Sequence, residues 1–292
     1  MQEPEGLSPL RGPFAEIRRR IGSQAGIDVE LLPRGWERIG EVVVLRIPRK
    51  LARWREEIAK AYGDVLRAKT VVEDLAKIHG PWRIPEVRWI RGNGTETVHS
   101  EGRVRFKLDV AATMFSSGNM EERKRMSRIT RPGETVVDLF AGIGYFSLPI
   151  AVHANPRKIF ACEINPVAYR YLLENIRLNR AGTVEARLGD CRETAPKGAA
   201  DRVILGHFDA ERYLDTAFEA AKDRAVLHIH GLRHWRESEP RTRAREGARL
   251  SGSLEDSAAS HGFDVRSVED RVVKWYGPHR LHYVLDVAVE RR

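Results

Sequence analysis

Cysteine is scarce: Cys162 and Cys191 are the only two in 292 residues. Two thiols cannot by themselves build a disulfide framework or a zinc cage, and their scarcity fits a reducing compartment. Long apolar runs are missing as well, since nothing approaches the roughly 18–20 residues that a membrane-crossing helix needs. The stretch from Phe140 to Val152 is uncharged, but two glycines and a proline interrupt it. The N-terminus is acidic and then basic, without an apolar signal core. A soluble, cytoplasmic chain with no membrane partner is the expectation. The composition does supply a core: 42% apolar and 31% charged residues exclude wholesale disorder.

The length admits one large domain or two smaller ones. The charge, +9 from 50 Lys+Arg against 41 Asp+Glu, is uneven. Residues 1–130 hold 25 basic and 18 acidic side chains, residues 131–292 hold 25 and 23. A basic first part suits a polyanion, for which nucleic acid is the usual candidate, although a solvated basic surface leaves the same signature.

Residues 1–35 scatter Pro, Gly and Arg without clear periodicity and read as a partly ordered leader. Glu41 to Pro48 is β-branched and reads as a strand. Leu51, Trp54, Ile58 and Ala61 recur at helical spacing. Val65–Lys69, Thr97–Ser100 and Arg103–Asp109 read as further strands, with a turn at Arg91–Gly94. Residues 36–110 therefore form a small basic α+β domain. Beyond it, Met120–Ile129 reads as a charged helix. Apolar runs then alternate with helical segments at Thr135–Phe140, Lys158–Glu163, Val184–Leu188, Arg202–Leu205 and Ala225–His230. That alternation implies a mostly parallel, doubly wound sheet over residues 111–292. Phe263–Val273 and Leu281–Val289, with only Lys274–His279 between them, read as an antiparallel hairpin that closes it.

The chemistry concentrates at the strand ends of that sheet. Val136 to Ile150 runs from an apolar strand through Gly142 and Gly144 into a helix. A dinucleotide fingerprint would carry a third glycine where Ser147 stands. Asp138, four residues before Gly142, instead suits the ammonium or a hydroxyl of a ligand such as S-adenosylmethionine. Glu163, 25 residues further on at the second strand end, suits a ribose diol. Asp190, at the third, suits an adenine amino group. Each acid alone reads as a helix cap or a surface charge; three at successive strand ends beside one glycine turn point to a cofactor site. Their neighbours Phe140, Ile164 and Cys191, together with Gly206 at the fourth strand end, complete the expected binding set. His207, next to Gly206, is a weak candidate proton acceptor and reads equally as a histidine satisfied by packing or a surface partner. His228 and His230 alternate on the fifth strand and read as core histidines. No metal is expected.

The run Met114-Phe-Ser-Ser-Gly-Asn-Met-Glu-Glu-Arg123, followed by Val137-Asp-Leu-Phe-Ala-Gly-Ile-Gly-Tyr-Phe146, resembles the archaeal tRNA guanosine-37 modification enzymes. The resemblance extends from about Trp36 to Val289. It implies a class I S-adenosylmethionine-dependent methyltransferase-like Rossmann fold preceded by a small α+β domain. That group contains N1-methyltransferases and wybutosine-synthesising aminocarboxypropyltransferases. The former usually carry Asn-x-Pro after the fourth strand, where this chain has Gly206-His207-Phe208. The aminocarboxypropyl branch is therefore implied: transfer of the 3-amino-3-carboxypropyl group of S-adenosylmethionine to 4-demethylwyosine in tRNA-Phe, with methylthioadenosine released. The same resemblance makes Ser116 and Arg123 candidates for holding the amino-acid arm, Arg123 by a bidentate pair with its carboxylate. The anticodon stem-loop of tRNA-Phe is the implied partner, with Trp82, Trp89 and Trp275 available to stack on its bases, and the enzyme is expected to be a monomer. The alternatives are N1-guanosine methyl transfer and an RNA-binding protein without catalysis.

Overall fold

The computed structural model describes residues 12–22, 26–79, 84–234, 252–277 and 279–292. The chain divides into two compact units, the first made of Met1–His99 and Lys107–Ser117, the second of Ser100–Phe106 and Gly118–Arg292. The sequence predicts a single boundary near residue 110. The chain instead alternates between units through a hairpin, β5 (Glu96–Glu101) and β6 (Val104–Asp109).

The first unit is built on a four-stranded sheet in the order β1 (Glu37–Ile39), β2 (Val42–Leu45), β3 (Thr70–His79), β4 (Ile84–Arg91). Strands β2 and β3 are parallel, so a crossover must join them, and helix α2 (Arg55–Leu66) supplies it. The strand expected over Val65–Lys69 is absent. Val65 and Leu66 complete α2, Arg67 stops the helix in the left-handed conformation at φ 52°, and the Ala68 N–H closes on the Gly63 carbonyl. The leader is also more ordered than expected. Pro13–Gly22 forms helix α1, whose Ile17 and Ile21, spaced i,i+4, are fully buried in the core of this unit with Val43, Leu45, Ile58 and Tyr62. One apolar pair on a single short helix is too little for periodicity to reveal.

The second unit carries seven strands in the order β12 (Phe263–Gly277), β13 (Arg280–Arg291), β11 (Ala221–His234), β10 (Ala200–Leu205), β7 (Thr135–Asp138), β8 (Lys158–Glu163), β9 (Val184–Leu188). The five strands from β11 to β9 are parallel, and β13 and β12 close the sheet antiparallel. This is the class I S-adenosylmethionine-dependent methyltransferase arrangement that the sequence predicts. Helix α3 (Met120–Ile129) precedes β7, and α4 (Ser147–His153), α5 (Pro166–Leu178), α6 (Cys191–Thr194) and α7 (Leu214–Ala220) join the parallel strands. A further helix over 252–260 sinks Leu254 and Ala258 into the core beside Phe218 and Phe263. Strands β7 and β10 are buried on both faces, which is why they read as unbroken apolar runs.

Candidate functional site

Parallel strands end on one edge, so β7, β8, β9 and β10 bring Asp138, Glu163, Asp190 and Gly206 to the same rim of the sheet. The glycine turn after β7 is needed for its shape. Gly142 sits at φ 57° and Gly144 at φ 103°, and a Cβ would lie 2.3 Å from the Tyr145 ring at the first and 2.6 Å from Leu148 at the second. Strand β8 anchors the turn: the Ala141 N–H donates to the Cys162 carbonyl at 2.9 Å and the Gly142 N–H to Glu163 Oε2 at 2.7 Å.

Glu163 also accepts from the Asn165 N–H at 2.7 Å through Oε1. Burial raises its pKa, opposed by these backbone donors. A carboxylate has about four lone-pair sites, so both oxygens keep capacity for a vicinal diol. Asn165 caps α5, accepting from the Val167 N–H at 2.9 Å, with Pro166 at the first helical position. That Asn-Pro start, legible in the sequence, fixes the segment on which Glu163 and the exposed Ile164 stand.

Asp138 differs from the expectation. It is fully buried, and its carboxylate accepts from the Ser147 hydroxyl at 2.7 Å and the Phe140 N–H at 3.3 Å. Burial pushes its pKa up to about 6. It ties the turn to α4 from beneath, with no surface exposed at the rim. Ser147, the residue that breaks the dinucleotide pattern, is the donor this arrangement needs.

Asp190 caps α6 and pairs with Arg192, whose guanidinium lies 2.5 Å from Oδ2 and holds the carboxyl below its ordinary pKa. It keeps partial exposure at the rim, so cap and ligand acceptor are compatible roles. Cys191 behind it is 4% exposed, and burial pushes its thiol up to about 12; Cys162 is likewise buried, its thiol raised to about 11. Both cysteines are packing residues and free thiols. Phe140 stands half-buried with its ring edge on Tyr213 at 4.8 Å and tilted against His207 at 5.2 Å. His207 Nδ1 accepts from the Asp209 N–H at 3.1 Å, so the structure gives that nitrogen a local partner. At Gly206 a Cβ would meet the Phe146 ring at 2.9 Å, so glycine is what lets that ring close over the end of β10.

Arg123 is also corrected. It is 2% exposed and pairs with Glu101, Nε to Oε1 at 2.9 Å and Nη2 to Oε2 at 2.5 Å. That fork ties α3 to Glu101, and at 2% exposure the side chain presents almost no surface to a ligand. Ser116 belongs to the first unit. Trp89 and Trp275 are each 60% exposed, and Trp82 lies outside the described residues.

Sequence reasoning missed a buried polar network on the other half of the sheet. His228 is hydrogen-bonded through Nδ1 to Asp286 at 2.5 Å and through Nε2 to Arg202 at 2.5 Å. Arg202 continues to Glu134 at 2.8 Å, and Arg125 joins Asp286 at 2.6 Å to Glu122 at 2.7 Å. Arginine can only donate, so the imidazole carries its proton on Nδ1. Burial lowers its pKa to about 4 despite the Asp286 bond. Histidine on alternate residues of one strand was the available signal; its partners lie 26 and 58 residues away.

Comparison with known proteins places this geometry. Residues 97–250 match the model of the TRM5/TYW2 methyltransferase domain and residues 24–95 that of the TYW2 N-terminal domain. The tRNA(Phe) (4-demethylwyosine(37)-C(7)) aminocarboxypropyltransferase of Methanocaldococcus jannaschii is 38% identical over 88% of this chain and 98% of its own length. The enzyme of the same name from Pyrococcus horikoshii is 37% identical over 89% and 91%. The structure of P. horikoshii TYW2 in complex with MeSAdo superposes with a TM-score of 0.81 at 33% identity, covering 96% of this chain and all of that one.

Proposed function

Because the chain belongs to the TRM5/TYW2 methyltransferase-domain family, we propose that it transfers the 3-amino-3-carboxypropyl group of S-adenosylmethionine to 4-demethylwyosine at position 37 of tRNA-Phe. The observation that carries this reading is the nearly end-to-end likeness to two archaeal aminocarboxypropyltransferases. The rim of the second unit supports it. Glu163 is the acceptor for the ribose hydroxyls, Asp190 for the adenine amino group, and Ile164, Phe140 and Cys191 are the apolar neighbours of the nucleoside. Gly142 and Gly144 let the backbone come close to the ligand. The sulfonium of S-adenosylmethionine supplies three activated carbons and a good leaving group. The protein's part is to decide which carbon faces the nucleophile, a matter of orientation. Ser116 is retained as a candidate for the amino-acid arm, and Asp138 and Arg123 act on the scaffold.

The other substrate is tRNA, met at its anticodon stem-loop. The basic excess of residues 1–130 supplies phosphate contacts, which position the nucleic acid without reading it. Trp89 and Trp275 present rings on which unpaired bases stack. The enzyme works as a monomer in the cytoplasm; no helix among the described residues is long and apolar enough to cross a membrane.

Methyl transfer is the competing reaction, since the tRNA (guanine(37)-N(1))-methyltransferase Trm5b of Pyrococcus abyssi is 36% identical over 98% of this chain. Incubation with S-adenosylmethionine and tRNA-Phe carrying 4-demethylwyosine separates the two. Methylthioadenosine is the expected by-product; S-adenosylhomocysteine would mean methyl transfer, and neither product would leave binding alone.

A further inference from the structure

Two buried histidines in the second unit have no part in the roles above. Leu205, the last residue of β10, pairs with Ile229 on β11, so His230 stands one residue beyond, level with Gly206 at the ligand-binding rim. His282 on β13 lies opposite Leu232, two residues further along β11 than His230. The imidazoles touch, His230 Nδ1 to His282 Nε2 at 3.0 Å. The His230 ring centroid lies 5.2 Å from that of Phe146, whose ring closes over Gly206, and the His282 centroid 5.1 Å from that of Phe208 just past the end of β10. Behind the pair, Glu122 Oε1 stands 4.0 Å from His230 Nε2. The exposures of His230 and His282 are 3% and 2%, yet His230 Nε2 and His282 Nδ1 have no hydrogen-bond partner among the described residues. Buried polar atoms are nearly always bonded, and an exception calls for a reason.

We propose that His282 Nδ1 is the acceptor of the proton that the base's ring carbon must lose, with His230 and Glu122 as positioning residues behind it. This rests on the aminocarboxypropyl reading above. This role requires one pair of tautomers: His282 Nδ1 bare, its Nε2–H donating to His230 Nδ1, and the His230 proton on Nε2, the nitrogen 4.0 Å from Glu122 Oε1. As the ring carbon bonds to the Cγ of the transferred group, the Cγ–S electron pair leaves with methylthioadenosine. The ring carbon then carries both its hydrogen and the new group on a cationic ring. His282 Nδ1 takes that hydrogen as a proton, and the C–H pair restores the aromatic system. The positive charge passes along the histidine pair toward Glu122. A proton on a cationic ring is strongly acidic, so a weak base suffices.

The surroundings keep that base unprotonated. Burial and then Lys274 on β12 lower the pKa of His282 to about 4. His230 is lowered too, first by burial, then by His282, His228 and Arg125, with Asp286 opposing. Glu122 and Arg125 face the pair from α3, His228 from β11 and Asp286 from β13. Both histidines are therefore neutral near pH 7.

The test is single-turnover formation of the rearomatised product base by the full chain with S-adenosylmethionine and tRNA carrying 4-demethylwyosine, since methylthioadenosine leaves before the proton does. His282→Asn should bind S-adenosylmethionine and tRNA within twofold of the wild type yet react about 100-fold more slowly, the usual size of a lost general base. Deuterium at the reacting ring carbon should then slow the variant, because proton removal has become limiting, and leave the wild type nearly unaffected. Glu122→Gln, which keeps the shape, should cost about three- to tenfold with binding preserved, as a lost positioning contact would. A His282→Asn rate within twofold of the wild type, or a loss that weaker binding fully accounts for, overturns the proposal. Should His282→Asn not fold, the wild type still decides: its rate should be flat from pH 6 to pH 8, and a tenfold rise per pH unit there would assign the proton to another acceptor. S-adenosylhomocysteine from the wild type would sink the aminocarboxypropyl reading itself, an outcome that does not depend on His282.

Discussion

The two halves of the seven-stranded sheet use charge in opposite ways. On the β7–β8–β9 half, Glu163 and Asp190 sit at strand ends and accept from backbone N–H groups, Asp190 also from the exposed Arg192, and both keep lone pairs to spare. On the β10–β11–β13 half, charged side chains lie on the sheet face itself, and Arg202, His228, Asp286 and Arg125 partner one another. A carboxylate held by backbone donors can take a ligand without losing its support. A buried charge held by another side chain is committed, because removing one partner strands the other. The comparison therefore separates residues proposed to bind from residues that hold.

The strongest way to break it is Asp286→Ala, which strands Arg125 and His228. We expect a loss of about 3–5 kcal/mol in chemical denaturation, the usual cost of breaking a buried pair. Affinity for S-adenosylmethionine below the unfolding midpoint should be unchanged; a weakened site would mean that the two halves are not separable. Glu163→Ala does the converse. Loss of charge-assisted acceptors at about 1.5–3 kcal/mol per bond predicts at least 100-fold weaker binding in calorimetry. Folding should persist, although the Gly142 N–H loses its partner.

Acid sharpens the contrast. The folded-state pKa of His228 is lowered to about 4 from 6.5, so its contribution is intact above pH 6.5 and is lost as pH falls toward 4. At most about 3 kcal/mol is involved. Asp138 runs the other way: its pKa is raised to about 6 from 3.8, so its effect on stability declines as pH rises through that window. Urea midpoints measured from pH 7 to pH 4 should fall for the wild type and fall less for His228→Asn. Parallel curves would remove His228 as a cause. The smallest effect belongs to Asp190→Asn. Asn caps a helix as well as Asp does, so stability should hold within about 0.5 kcal/mol while binding weakens about three- to tenfold through the lost charge. An unchanged affinity would leave Asp190 as a cap only.

Much of the second unit was legible in the sequence, because parallel strands covered on both faces are written as apolar runs separated by helices. The first unit was harder to read. Val65 and Leu66 are apolar enough for a strand and in fact end a helix, and β4, with Pro85, Glu86 and Arg88, has no apolar alternation to announce it. Positions at the rim could be read off the chain, but occupancy could not. That Asp138 serves Ser147, and Arg123 serves Glu101 from 22 residues away, depends on packing that no local pattern encodes. The histidines of β11 were visible as an alternating pair, while His282, which completes the contact with His230, arrives from β13, 52 residues downstream.

The outermost strand of the sheet carries one more consequence. β12 is 15 residues long and is the edge strand of the sheet among the described residues, the kind of surface that invites another chain to add a strand. Its pairing with β13 slips at three places, between Val265 and Ser267, Val272 and Lys274, and Trp275 and Gly277. Arg266, Glu269, Asp270 and Arg271 place charges of both signs along it. A would-be neighbour finds no flat, uncharged ladder to extend. The protein guards its own solubility at this edge, and does so with the same strand that brings Lys274 to the histidine pair.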